Sequence, residues 1–132
     1  MLLHQRIAIY DLILALGYIG LAISIHPGLA AFSLLLLISS HHLYRSRSWS
    51  LDFTLGVHGL GVIFSFLFMI LSTVFLIIDK GFGVNLIKFP INQWLFIAIL
   101  LVHAAAHYFP IRSLRHPEVY KTFGKKFPKS NS

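Results

Sequence analysis

The sequence predicts an all-α integral membrane protein, and its composition and hydropathy pattern carry that prediction. Of the 132 residues, 57% are hydrophobic and only 11% are charged, whereas soluble domains carry about 25% charged residues. The apolar residues gather in four runs, each near the length of about 20 residues that a helix needs to cross a bilayer. Helices are expected because a lone strand would leave its backbone groups without hydrogen-bond partners in lipid. The absence of cysteine excludes disulfides, thiolate metal sites and iron–sulfur clusters.

The four runs predict four helices joined by short links. They cover about residues 7–25, 27–44, 53–78 and 91–109. Pro27 separates the first two helices, Pro90 precedes the fourth, and Pro110 is expected to end it. We expect one up-down four-helix bundle over residues 1–111, followed by a basic tail over residues 112–132.

The distribution of lysine and arginine predicts the orientation of this bundle. In an up-down chain, both termini and the loop between the second and third helices share one side, which holds nine of the eleven Lys and Arg residues. Lys80 and Lys88 fall on the other side, in a loop over residues 79–89 that is expected to lie at the membrane interface. The positive-inside rule then predicts cytoplasmic termini, in a bacterial inner membrane or an organellar inner membrane.

Several ionisable residues lie within the predicted spans, where they are costly and mark a functional site by default. They are Asp11, His41, His42, His58, His103 and His107. On the expected topology, all of them lie in the cytoplasmic half of the membrane. Helical spacing forms one polar stripe on each helix, made of Asp11 with Tyr18, Ser33 with Ser40, His58 with Ser65 and Ser72, and His103 with His107. We therefore predict an inward polar seam that ends in a cytoplasmic cluster of His and Asp.

The first functional hypothesis is a small transmembrane subunit that transfers electrons through a b-type haem. Small residues flank two of the histidines, with glycines at 56, 59 and 61 and alanines at 104–106, and they leave room for a flat ring. Axial histidines from opposed helices can then hold the iron. We predict His58 and His103 as the ligands, with His41 and His107 as alternatives.

Two further hypotheses explain the same histidines differently. In a non-catalytic membrane subunit or assembly factor, the His and Ser side chains form hydrogen bonds between helices. Alternatively, His103-Ala-Ala-Ala-His107 and Ser40-His41-His42 resemble fragments of the histidine boxes of membrane fatty-acid desaturases and hydroxylases. That resemblance implies a metal centre acting on lipid, although the chain has no complete third box and is much shorter. The metal ligands would be His58 and His103, with His41, His42, His107 and Asp11 as alternatives.

Proton handling is another interpretation of the polar seam. A carboxylate opposite histidines in a membrane interior is typical of proton relays. The outer halves of the spans contain no ionisable residue, so a relay across the whole bilayer is not expected.

The C-terminal tail combines positive charge with aromatic residues. It carries Arg112, Arg115, Lys121, Lys125, Lys126 and Lys129 against a single acid, Glu118. A basic aromatic segment next to a span is expected to bind anionic lipid headgroups, or else an acidic partner subunit. The expected partners are therefore membrane lipids and other membrane subunits or further copies of the chain. Nucleic acid is not expected, because the chain has no recognition motif.

Overall fold

The structure is a computed structural model, and it describes residues 1–24, 27–77 and 92–128. These residues form five helices, which are α1 (Leu3–Ser24), α2 (Leu29–Tyr44), α3 (Ser50–Ile77), α4 (Gln93–Leu114) and the short α5 (Pro117–Thr122). The prediction of an all-helical chain is confirmed for this part of the molecule. The predicted loop over residues 79–89 and the tail residue Lys129 lie outside the described residues.

Three of the helices are long and apolar enough to cross a membrane. The candidate spans are Leu3–Ile23, Ser50–Val74 and Trp94–Leu114. The second predicted span forms α2, which is apolar but has only 16 residues, or about 24 Å of helix. The structure thus supports a helical membrane protein through three spans, and α2 is shorter than the usual transmembrane length.

The four long helices meet at one end in a compact apolar cluster. Its buried members are Ile7, Ala8, Leu43, Leu51, Leu114, Val119, Tyr120 and Phe123. They come from the beginning of α1, the end of α2, the beginning of α3, the end of α4, and α5 with the residue that follows it. The tail aromatics Tyr120 and Phe123 are therefore buried against the helices rather than free to enter lipid.

Serine hydroxyls hold α2 against α1. Ser33 donates a hydrogen bond to the carbonyl of Ala15 at 2.8 Å, and Ser40 donates to the carbonyl of Ala8 at 2.7 Å. The two serines and the two alanines are each seven residues apart, so two helical turns of each helix are in register. Small residues at these positions let the two backbones approach closely, as is common between membrane helices.

The prediction that Pro110 ends the fourth helix is wrong, since α4 continues to Leu114. Proline has no N–H, so the carbonyl of Ala106, four residues earlier, loses its partner within the helix. The Tyr10 hydroxyl of α1 donates to that carbonyl at 2.9 Å. The helix continues because a neighbouring side chain supplies the hydrogen bond that proline removes. The predicted boundary between bundle and tail, after residue 111, therefore falls within α4.

Candidate functional site

The buried polar side chains of the four long helices form one continuous series of hydrogen bonds. We call this series the polar chain. In order, its members are Thr54, Ser39, Asp11, His58, His107, Tyr18, His103 and Ser65. Each of α1, α2, α3 and α4 contributes at least one member. Between Thr54 and Ser65 the polar chain extends over 11 residues of α3, which is about 16 Å of helix.

Asp11 is fully buried, and both of its carboxylate oxygens have partners. Oδ2 accepts a hydrogen bond from the Ser39 hydroxyl at 2.7 Å, and Oδ1 lies 2.9 Å from Nε2 of His58. The Ser39 oxygen in turn lies 2.7 Å from the Thr54 hydroxyl. Since Ser39 has one proton and gives it to the carboxylate, Thr54 must be the donor to Ser39. A buried carboxylate is tolerated only with such partners, and this one has them from α2 and α3.

The three histidines are linked through direct contact and through one tyrosine. Nδ1 of His58 lies 2.8 Å from Nδ1 of His107, whose Nε2 lies 2.8 Å from the Tyr18 hydroxyl. The same hydroxyl is hydrogen-bonded to Nε2 of His103, and Nδ1 of His103 lies 2.6 Å from the hydroxyl of Ser65. Ser65 also contacts the carbonyl of Gly61 at 2.7 Å. Every imidazole nitrogen in the polar chain therefore has a hydrogen-bond partner.

Burial differs along the polar chain. Seven of its members are buried, and His103 is the member whose side chain is partly exposed. The Asp11 and His58 pair is fully buried. His103 is therefore the member of the polar chain that lies nearest to the surface of the bundle.

Close packing at one glycine fixes the position of His107. A Cβ atom placed on Gly61 would lie 2.5–2.8 Å from atoms of the His107 ring, so the imidazole occupies the space that a side chain would need. Gly56 and Gly59 do not face the histidines. They line an apolar groove with Leu35, Phe53, Val57, Leu60 and Ile63 on the outside of α2 and α3. Both glycines adjoin open space on the groove side of α3, and the expectation that they leave room for a ring beside His58 stays a prediction.

The predicted site residues are only partly brought together. Asp11, His58 and His107 meet directly, whereas the predicted pair of His58 and His103 is separated by His107 and Tyr18. His41 is exposed, and the ring of His42 packs on Trp49 with centroids 4.6 Å apart. Neither His41 nor His42 joins the polar chain.

The contacts of the histidines do not fit a haem iron. The Nδ1 atoms of His58 and His107 are 2.8 Å apart, whereas a metal held between two opposed imidazoles, at about 2.0 Å from each, separates them by about 4 Å. Both nitrogens of His103, the other predicted ligand, face hydroxyl groups. Within residues 1–24, 27–77 and 92–128, no group of three or more His, Asp or Glu residues is arranged to hold a metal ion. The haem and metal hypotheses therefore stay predictions without support from the geometry.

The basic tail residues have different environments. Arg112, Arg115, Lys121 and Lys126 are exposed, and Lys125 forms an ion pair with Asp52 at the beginning of α3. Four cations of the predicted lipid-binding set are thus available at the surface, and a fifth ties the tail to the helices.

Sequence reasoning missed three buried polar residues. His4 is buried and its Nε2 lies 2.8 Å from the Ser46 hydroxyl, while its ring meets the edge of Phe123 at 5.2 Å. His4 lies seven residues before Asp11, so the stripe of Asp11 and Tyr18 extends to it. Thr54 lies four residues before His58 and shares its face by the same logic. Ser39 had no comparable signal, because helical spacing assigns Ser40 to the stripe with Ser33.

Comparison of the chain with protein-family models, with curated proteins and with solved structures gave no match. The function must therefore be argued from the polar chain itself.

Proposed function

We propose that this protein is a small integral membrane subunit whose polar chain takes up a proton at His103 and holds it at the Asp11 and His58 pair. In this proposal, the four long helices form an up-down bundle with both termini in the cytoplasm. The apolar cluster that joins the beginnings of α1 and α3 to the ends of α2 and α4 supports alternating helix directions. The excess of Lys and Arg on that side supports the orientation.

The observation that carries the proposal is the unbroken series of hydrogen bonds from His58 to Ser65, whose donors and acceptors can be assigned in either of two directions. In the first state, His58 is neutral and donates from Nε2 to the Asp11 carboxylate. Its Nδ1 must then accept from Nδ1 of His107, because a neutral imidazole has one donor and one acceptor. Nε2 of His107 accepts from Tyr18, which accepts from Nε2 of His103, and Nδ1 of His103 accepts from Ser65.

The second state contains one more proton and reverses every bond from His58 to Ser65. His58 is now an imidazolium that donates to Asp11 and to Nδ1 of His107. His107 donates to Tyr18, which donates to His103. His103 then donates from Nδ1 to Ser65, and the Ser65 proton is free to bond the Gly61 carbonyl at 2.7 Å. The observed Ser65 contacts are both satisfied only in this second state.

Conversion of the first state into the second adds one proton to the polar chain in total. One proton arrives at Nδ1 of His103, and the Nε2 proton of His103 moves to Tyr18. The Tyr18 proton moves to Nε2 of His107, and the Nδ1 proton of His107 moves to His58. One proton is gained at Nδ1 of His58, where the Asp11 carboxylate balances the new positive charge. Direct contact between the two charges offsets part of the cost of burying them.

The extent of the polar chain limits what it does. The rest of α3, at residues 66–77, and the first half of α4, at residues 92–102, contain no ionisable residue. The polar chain therefore carries a proton from His103 to His58, over about 10 Å on one side of the membrane rather than across it. We propose that a partner subunit or a membrane-soluble group supplies and removes the proton at His103.

The test is nitrogen-15 solid-state NMR of histidine-labelled protein in bilayers over a range of pH. The chemical shifts distinguish an imidazole protonated at Nδ1, one protonated at Nε2, and an imidazolium. We expect His107 and His103 to exchange tautomers together as His58 gains its second proton. Fixed tautomers of all three histidines across the range would contradict the proposal.

Two tyrosines of α1 provide a matched pair of variants for this experiment. Tyr18→Phe removes the link between His107 and His103, so the tautomer of His103 should no longer follow the protonation of His58. Tyr10→Phe removes a hydroxyl from the same helix that bonds only the Ala106 carbonyl among the described contacts, and it should leave the coupling intact. Coupling that survives Tyr18→Phe would also contradict the proposal.

A non-catalytic membrane subunit or assembly factor is a second candidate. The observation that favours it is that every member of the polar chain from Ser39 to Ser65 has its hydrogen bonds satisfied, as in networks that specify a unique packing. In that case the three histidines keep one tautomer each, and the same NMR experiment separates the two candidates.

A further inference from the structure

A second groove, at the surface of α1 and α2, combines apolar walls with a cationic rim. It has a volume of about 390 Å³. Its lining residues are Ala8, Ile9, Leu12, Ser40, His41, Tyr44 and Arg45. Ala8, Ile9 and Leu12 form the apolar wall, and Ser40 closes the floor through its hydrogen bond to the Ala8 carbonyl.

The polar residues of this groove lie at one end of it. His41 and Tyr44 belong to the last turn of α2, and Arg45 follows directly. All three side chains are exposed. The opposite end, toward Leu12, is apolar. A molecule with a charged head and a hydrocarbon tail matches this division.

No acid among the described residues balances the charge at the rim. The groove contains no acidic residue, and among the described residues no ion pair involves Arg45. Asp11 is buried in the polar chain and Asp52 pairs with Lys125, so the acids nearest in sequence are already engaged. A cation at the edge of a membrane attracts anionic lipid headgroups.

The apolar groove on the outside of α2 and α3 provides the contrast. Its lining residues, from Leu35 to Ile63, are all apolar or glycine. It offers hydrocarbon contact but no group that would select a headgroup. Of these two grooves, the one beside Arg45 combines apolar walls with a cationic rim.

We propose that the groove between α1 and α2 binds one anionic phospholipid of the surrounding leaflet. Its phosphate lies over Arg45, with the Tyr44 hydroxyl and the His41 ring as hydrogen-bond donors. One acyl chain lies along Ala8, Ile9 and Leu12. This site is separate from the polar chain and from the exposed cations of the tail.

Native mass spectrometry of the full chain, titrated with phosphatidylglycerol or with phosphatidylcholine, tests the site. Arg45→Gln should weaken the tightest phosphatidylglycerol binding about fivefold, which is about 1 kcal/mol. Arg47→Gln is the matched control, because Arg47 is also exposed but does not line the groove. It should change this binding less than twofold, and phosphatidylcholine binding should be unaffected by either variant.

A second variant tests the acyl chain rather than the charge. Leu12→Trp fills the apolar end of the groove and should displace the bound lipid while Arg45 remains. Equal losses in Arg45→Gln and Arg47→Gln, or unchanged binding in both Arg45→Gln and Leu12→Trp, would overturn the proposal. Because these residues lie outside the polar chain, failure here leaves the histidine tautomers as an independent test of the proposed function.

Discussion

The Tyr10 hydroxyl donates a hydrogen bond at 2.9 Å to the carbonyl of Ala106, the acceptor that Pro110 leaves without a partner in its own helix. This contact joins α1 to α4, and its two residues directly precede Asp11 and His107 in the sequence. A proline that would otherwise weaken α4 is thus used to bring the two helices together. The contact stabilises the helix pair that carries Asp11, Tyr18, His103 and His107.

Tyr10→Phe should destabilise the fold by about 1–3 kcal/mol, because the Ala106 carbonyl then has no partner. Pro110→Ala restores the N–H that this carbonyl normally accepts from. In the Pro110→Ala background we therefore expect Tyr10→Phe to lose most of its effect. Reversible unfolding of the four proteins in mixed micelles measures this double-mutant cycle. Equal effects of Tyr10→Phe in both backgrounds would show that the hydroxyl does not compensate for the proline.

Gly61→Ala should disrupt the polar chain by displacing the His107 ring. The added methyl group would lie 2.5–2.8 Å from ring atoms, so either the ring or α3 must move. Overpacking of this kind costs about 1–3 kcal/mol and should also break the contact between His58 and His107. Gly56→Ala and Gly59→Ala are the controls, because a Cβ atom at either position meets nothing within 4 Å. Thermal unfolding should separate the first variant from the other two, and similar midpoints for all three would contradict the packing described.

Asp11→Asn should preserve the fold and abolish the proton-loaded state. The amide keeps the size of the carboxylate and can still accept from Nε2 of His58, but it provides no negative charge for an imidazolium. We expect His58 to stay neutral throughout the pH range in which the wild type shows the doubly protonated form. The nitrogen-15 spectrum of His58 measures this directly. A doubly protonated His58 in Asp11→Asn would remove the carboxylate from the proposed mechanism.

Phe123→Ala should release the tail from the helices, whereas Lys125→Gln should not. Phe123 is only 5% exposed and meets His4 at 5.2 Å, so its removal leaves a cavity in the cluster and costs about 3 kcal/mol. The partner of Lys125 is Asp52, whose side chain is 68% exposed, and such surface pairs contribute about 0–1 kcal/mol. Limited proteolysis at Arg115 and Lys121 reports the difference. Faster cleavage of Lys125→Gln than of Phe123→Ala would mean that charge, rather than burial, holds the tail.

Protein purified in detergent should show no Soret absorbance. The reason is that the ring nitrogens of His58, His103 and His107 are all engaged with other protein groups. An absorption spectrum with extraction of the pigment tests this expectation. A Soret band that is lost in His58→Ala or His103→Ala would instead restore electron transfer through haem as the leading hypothesis.

The sequence by itself determined the helical membrane class of the protein, its four long helices and most of the polar residues on their inner faces. Apolar runs of about 20 residues favour helices in lipid, and helical spacing assigns Asp11 with Tyr18, and His103 with His107, to single faces. That is why the residues of the polar chain could largely be found in advance. The same spacing would have included His4, which extends the stripe of Asp11 by two helical turns.

Only the tertiary structure decided which of those residues meet. Spacing along one helix says nothing about how far a neighbouring helix is shifted or rotated, so His58 was expected opposite His103 but contacts His107. The shift places Tyr18 between the two histidines of α4, and it turns Gly61 rather than Gly56 toward the imidazole. The order of donors and acceptors, and with it the path of a proton, exists only once these contacts between helices are formed.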